Sequence, residues 1–129
     1  MITEDYVSFE IAKLLKEKGF NWSTDKQYNL DKIVAEYNIT DRSRHPEKYL
    51  DAPTIQMVMK WLREVHHYYI QVMLDSWACG GHMGYYVVIQ KTDSNFEMML
   101  QDDIDEVFYQ TYEESCEAAI KYCLEKLIF

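Results

Sequence analysis

The stretch that decides the fold is PTIQMVMKWLREVHHYYIQVML, residues 53–74. Its first half has a helical period: Ile55, Val58, Leu62 and Val65 fall on one face, with Trp61 beside them. Thr54 is the expected N-cap, and Pro53 holds the chain before it extended. From Tyr68 the period changes to two. Tyr68, Ile70, Val72 and Leu74 share one face of a strand, and Tyr69, Gln71 and Met73 share the other. A loop containing Cys79, Gly80, Gly81 and His82 leads to a second strand, Gly84 to Gln90, rich in Tyr, Val and Ile. That loop exceeds a two-residue hairpin but is short enough for antiparallel neighbours.

Towards the N-terminus, Val7, Ile11, Leu14 and Leu15 recur at helical spacing opposite Glu10, Lys13, Lys16 and Glu17. Thr3 or Ser8 caps this helix and Gly19 ends it, after which Phe20 and Trp22 fold back onto its apolar face. Between Ser23 and Leu50 the pattern is mixed. Leu30, Ile33, Val34 and Tyr37 have helical spacing, yet Asn29, Asn38 and Thr40 interrupt it, and extended structure is the expectation. Thr40 to Tyr49 has the composition of an exposed loop. Towards the C-terminus, Phe108 and Tyr109 suit a third strand. Thr111 followed by Glu114 forms a capping box for a helix with Tyr112, Cys116, Ala119, Ile120, Cys123 and Leu127 along one side. Glu113, Glu114 and Glu117 near its start, and Lys121 and Lys126 near its end, suit the helix dipole. Helices and strands do not alternate regularly and no segment repeats. The expectation is a single α+β domain, a small antiparallel sheet of three to four strands covered by three helices.

The chain has 129 residues, 48 % of them hydrophobic, enough for one core without metal or disulfide staples. Its N-terminus is acidic where a secretory leader is basic, and it has no apolar run long enough for a membrane span, so a soluble cytoplasmic protein is expected. Cys116 and Cys123, seven residues apart on one helix, stand about 10 Å apart and read as core thiols in a reducing compartment. The net charge of −9 arises within one stretch: residues 92–120 hold nine acids and no Lys or Arg, while elsewhere the signs balance. An acidic pole disfavours direct nucleic-acid binding and favours a basic protein partner.

Three motifs stand together: Val7-Ser8-Phe9-Glu10-Ile11-Ala12-Lys13-Leu14-Leu15-Lys16-Glu17-Lys18-Gly19-Phe20, then Ala52-Pro53-Thr54 with Lys60-Trp61-Leu62-Arg63-Glu64, then Thr111-Tyr112-Glu113-Glu114-Ser115-Cys116-Glu117-Ala118-Ala119. As a set they resemble a family of small uncharacterised proteins encoded by Bacteroidetes bacteria and by their phages and mobile elements. The resemblance implies a bacterial or phage cytoplasm and extended structure over Tyr28 to Asn38. It carries over no functional residue.

The chemistry-bearing residues are sparse. Cys79 and His82 offer two metal ligands where zinc takes four, or three and a water; as a nucleophilic pair they lack an orienting group and an oxyanion hole. Asp102, Asp103, Asp105 and Glu106 lack the spacing and glycine of a calcium loop and read as a solvated charge run. No cofactor or metal is expected. Tyr69, Met73 and Tyr86 are the residue types that binding surfaces use, unless a helix or a second copy of the chain covers them. The leading expectation is a non-enzymatic protein-binding or accessory factor of phage or mobile-element type. It would act through Tyr69, Met73 and Tyr86 or through Asp102, Asp103, Asp105 and Glu106, with a homodimer as a further arrangement. The rivals are an acidic mimic of nucleic acid that occupies a DNA-binding protein, and a small hydrolase or metal enzyme using Cys79 and His82.

Overall fold

The computed structural model describes residues 5–75, 84–99 and 109–128. Helix α1 (Phe9–Glu17) starts where the Ser8 side chain accepts from the Ile11 N–H at 3.3 Å, and it ends before Gly19, whose φ of +89° suits a residue without a Cβ. Phe20 then returns to the core, its ring 5.3 Å from that of Trp61. Strands β1 (Gln27–Tyr28) and β2 (Val34–Ala35) form a hairpin. Its turn is built by Asn29, whose Oδ1 accepts from the Asp31 and Ile33 N–H groups. Strand β3 (Leu50–Asp51) pairs on the other side of β1.

Helix α3 (Ile55–Val65) carries the expected Thr54 cap, and the helix before it, α2, spans Ile39–Arg44. Strands β4 (Tyr68–Asp75), β5 (Gly84–Lys91) and β6 (Glu97–Met99) make the larger sheet, with β5 in the centre. Helix α4 (Tyr112–Tyr122) opens with the Thr111 hydroxyl accepting from the Glu114 N–H at 3.1 Å. It widens into a π turn over Cys123–Leu127, closed by the Ile128 N–H on the Cys123 carbonyl at 3.0 Å.

One core joins these elements. Ile11 and Leu15 from α1, Val58, Trp61 and Leu62 from α3, and Cys116, Ile120 and Leu124 from the last helix meet Ile70, Val87 and Ile89 on one face of the larger sheet. The register explains this: Ile70 opposes Ile89 and Val72 opposes Val87, so the inward residues of both strands coincide. The result is an α+β fold.

Four expectations are corrected in detail. Among the described residues there are two three-stranded antiparallel sheets, β2-β1-β3 and β4-β5-β6, in place of one. The smaller sheet docks on α1 through the Tyr28 hydroxyl, which donates to the Val7 carbonyl at 2.7 Å, and through the edge-on packing of Phe9 on Tyr28. Within the expected loop, Ile39–Arg44 is helical and Pro46–Lys48 is a 3-10 turn. Asn38 caps α2 by accepting from the Thr40 and Asp41 N–H groups, so a local hydrogen bond and not an apolar stripe nucleates it. Val65 and Leu74 share the inward faces but are 47 % and 53 % exposed; Val65 is the last residue of α3, and Leu74 lies next to the end of β4, opposite Tyr85. The third strand of the larger sheet is β6, with the Lys91 N–H donating to the Phe96 carbonyl across the turn. Tyr109 makes a two-bond antiparallel bridge to Tyr85, and Phe108 lies outside the described residues.

Candidate functional site

The period-two pattern that buries Ile70 and Val87 turns Tyr69, Gln71 and Met73 of β4 to the opposite side. There they meet Tyr86, Val88 and Gln90 of β5 and Glu97 and Met99 of β6. Met73 opposes Tyr86 and Gln71 opposes Val88, and Val88 in turn opposes Met99. Tyr69 and Met73 are each 41 % exposed, and Tyr86 is half-buried. None of Tyr69, Met73, Val88 or Met99 is among the described residues packed on the core.

Amides order this face. The Gln71 Nε2 donates to the Gln90 Oε1, and the Gln90 Nε2 donates to the Glu97 Oε2 at 2.9 Å, so a polar seam crosses all three strands. Over the outward positions of Tyr69–Met73, Tyr86–Gln90 and Glu97–Met99, Glu97 is the one charged side chain. At the end nearest the β5–β6 turn the Arg63 guanidinium stands 6.0 Å from the Tyr69 ring centre. A hollow of about 420 Å³ opens there between Tyr69, Gln90, Phe96 and Glu97. Aromatic and Met side chains with few charges are the composition of the buried centre of a protein interface.

The structure therefore brings Tyr69, Met73 and Tyr86 onto one face. Asp102, Asp103, Asp105 and Glu106, and likewise Cys79 and His82, lie outside the described residues. The described acids of the 92–120 stretch do not form one pole. Asp93 sits in the β5–β6 turn, 3.9 Å from the Lys91 ammonium, whereas Glu113 and Glu114 open α4 just after Tyr109 pairs with Tyr85. From Tyr85 to Lys91 the strand rises about 20 Å, which separates the two groups. Glu117 is tied to the fold, its Oε1 accepting from the Ser8 N–H at 3.0 Å. Burial pushes its carboxyl above the usual range and Asp5 adds to this, while the Ser8 N–H opposes it.

The two described cysteines are buried and held as thiols. Burial raises the Cys116 thiol to about 11 and the Cys123 thiol to about 12, far from thiolate chemistry at neutral pH. His66 packs edge-on against Trp61 at 4.5 Å, and burial, aided by His67, lowers its pKa. Among the described residues no group of three or more His, Cys, Asp or Glu is gathered to hold a metal ion, and no helix is long and apolar enough to cross a membrane.

Sequence reasoning missed a second concavity, between α1, the smaller sheet and α2, where Lys16, Gln27 and Arg42 converge. Asn38 followed by Asp41 was a usable cap signal for α2. Nothing local in the sequence pairs Lys16 with Arg42. Comparisons of the chain with protein-family models, with curated proteins and with solved structures return no match.

Proposed function

We propose that this protein is a non-enzymatic binding factor, an accessory component in a bacterial or phage setting, whose partner protein seats on the outer face of β4-β5-β6. The observation that carries the reading is a three-stranded face on which Tyr69, Met73, Val88 and Met99 lie off the core while a continuous amide seam holds them in register. A preordered aromatic and thioether surface loses little conformational freedom on binding. Glu97 at one end supplies a site for a cation, so the matching partner presents an apolar strip flanked by Lys or Arg. The division of the described acids between two ends of β5 supports this face over a single acidic pole as the recognition surface.

Random-peptide display against the immobilised full-length protein tests the reading. Selected peptides are expected to combine apolar residues with a basic one, and Met73→Glu is expected to weaken their binding by about tenfold or more, as central interface residues do. The melting temperature should change little, because Met73 is 41 % exposed and lies off the core. Affinity should fall only slightly with added salt. A steep salt dependence abolished by Glu113→Gln with Glu114→Gln, and untouched by Met73→Glu, would assign recognition to the acids, as nucleic-acid mimicry requires.

A further inference from the structure

The second concavity is a cavity of about 510 Å³ with an apolar floor of Ala12, Leu15 and Phe20, within the size range of small-molecule sites. Gln27 of β1 lies in its wall and is 1 % exposed. The Gln27 Nε2 donates to the Thr24 carbonyl at 3.1 Å, which fixes the amide's orientation, since the flipped amide would set oxygen against oxygen. Its Oε1 is a buried acceptor with no partner among the described residues. A buried acceptor without a partner is destabilising, and a donor reaching it removes that cost.

Two cations face the same space. Arg42 donates its Nε to the Tyr37 carbonyl at 3.2 Å, which orients the guanidinium, and neither Arg42 nor Lys16 forms an ion pair among the described residues. The one carboxylate in the wall, Asp51, is engaged by the Thr24 hydroxyl at 3.0 Å. The lining is thus positive by one charge, which a monoanion neutralises and a dianion over-compensates. Arg42 can take a carboxylate through its two Nη groups.

We propose that this cavity binds a small monocarboxylate with an apolar body and an amide N–H, the chemistry of an N-acylated apolar amino acid. The carboxylate meets Arg42 and Lys16, the side chain lies on Leu15 and Phe20, and the N–H satisfies the Gln27 Oε1. Water does not touch that oxygen, so reaching it requires the wall to give, and the wall elements α2 and the Pro46 turn bury no residue.

NMR titration of the isotopically labelled full chain with three probes tests this: N-acetyl-L-leucine, N-acetyl-L-leucinamide, which lacks the carboxylate, and 4-methylpentanoate, which lacks the N–H. Saturable shifts at Lys16, Gln27 and Arg42 are expected with N-acetyl-L-leucine. The leucinamide should bind about tenfold more weakly or worse, and 4-methylpentanoate about fivefold more weakly. Arg42→Gln, on an exposed helix, should weaken the acid about fivefold and leave the leucinamide unchanged. Gln27→Leu should erase the preference for the N–H probe over 4-methylpentanoate; if that variant does not fold, the Arg42→Gln comparison decides alone. Absence of saturable shifts with all three probes, shifts confined to another surface, or equal affinity for acid and leucinamide would overturn the proposal.

Discussion

The two faces of β5 should respond to truncation to Ala with very different losses. Ile89 points inward, is fully buried, and opposes Ile70. Ile89→Ala removes three carbon groups worth about 0.8 kcal/mol each, or about 2.5 kcal/mol. The residual cavity, at about 24 cal/mol per Å³, raises the total to about 3–4 kcal/mol. That is a large part of the 5–15 kcal/mol a domain of this size commands. With a urea slope of about 1.5 kcal/mol per molar, the midpoint should fall by about 2 M. Val88, one residue earlier, faces the other way and is half-buried. Val88→Ala should cost less than about 1 kcal/mol, a midpoint shift under about 0.7 M. Urea unfolding of the wild type and both variants by circular dichroism, with the slopes compared, measures this. Equal midpoint shifts, or a larger loss for Val88→Ala, would refute the assignment of inner and outer faces and with it the site.

Other outcomes follow from single groups. Thr111→Ala, which removes the hydroxyl that accepts from the Glu114 N–H, should destabilise by about 1 kcal/mol in the same unfolding assay. Glu117 has a folded-state pKa above its unfolded value, so the folded protein binds more protons and Glu117 opposes stability once the pH rises through that pKa. Stability measured from acid towards neutral pH should therefore gain less than in Glu117→Gln, whose side-chain oxygen still accepts from the Ser8 N–H; a steeper fall at neutral pH in the variant would contradict this. In a Cys79→Ser background, Cys116 and Cys123 should resist a neutral-pH thiol reagent until the chain unfolds, since burial holds both thiols protonated. Rapid labelling of the native protein would contradict their place in the core.

The parts of the fold that bury an apolar stripe were legible in the sequence. Thr54 and Thr111 marked two helix starts, and Thr3 or Ser8 a third that the structure assigns to Ser8, because a side-chain acceptor followed by an apolar period has few alternatives. The change of period at Tyr68 marked β4, and the Val and Ile content of Gly84 to Gln90 marked β5. Helix α2 was not legible because ITDRSR buries none of its residues and is held by the Asn38 side chain. Strand β6 is three residues long and gains its identity from pairing with Val88–Gln90, a contact that a local period does not record. Half of the proposed site was visible, since alternation alone placed Tyr69 and Met73 together. The amide seam was not, because Gln71, Gln90 and Glu97 meet only once the register is set. Among the described acids of the 92–120 stretch, β5 sets Asp93 apart from Glu113 and Glu114, a separation that the sequence does not record.

The most direct test of the account is the footprint of a display-selected peptide on the labelled full-length protein, read by NMR amide shifts. The account predicts changes concentrated at Tyr69, Gln71, Met73, Val88, Gln90 and Met99, with little change at Ile70 and Val87. A footprint centred on Glu113 and Glu114, or on the inner edge of the core helices, would contradict it.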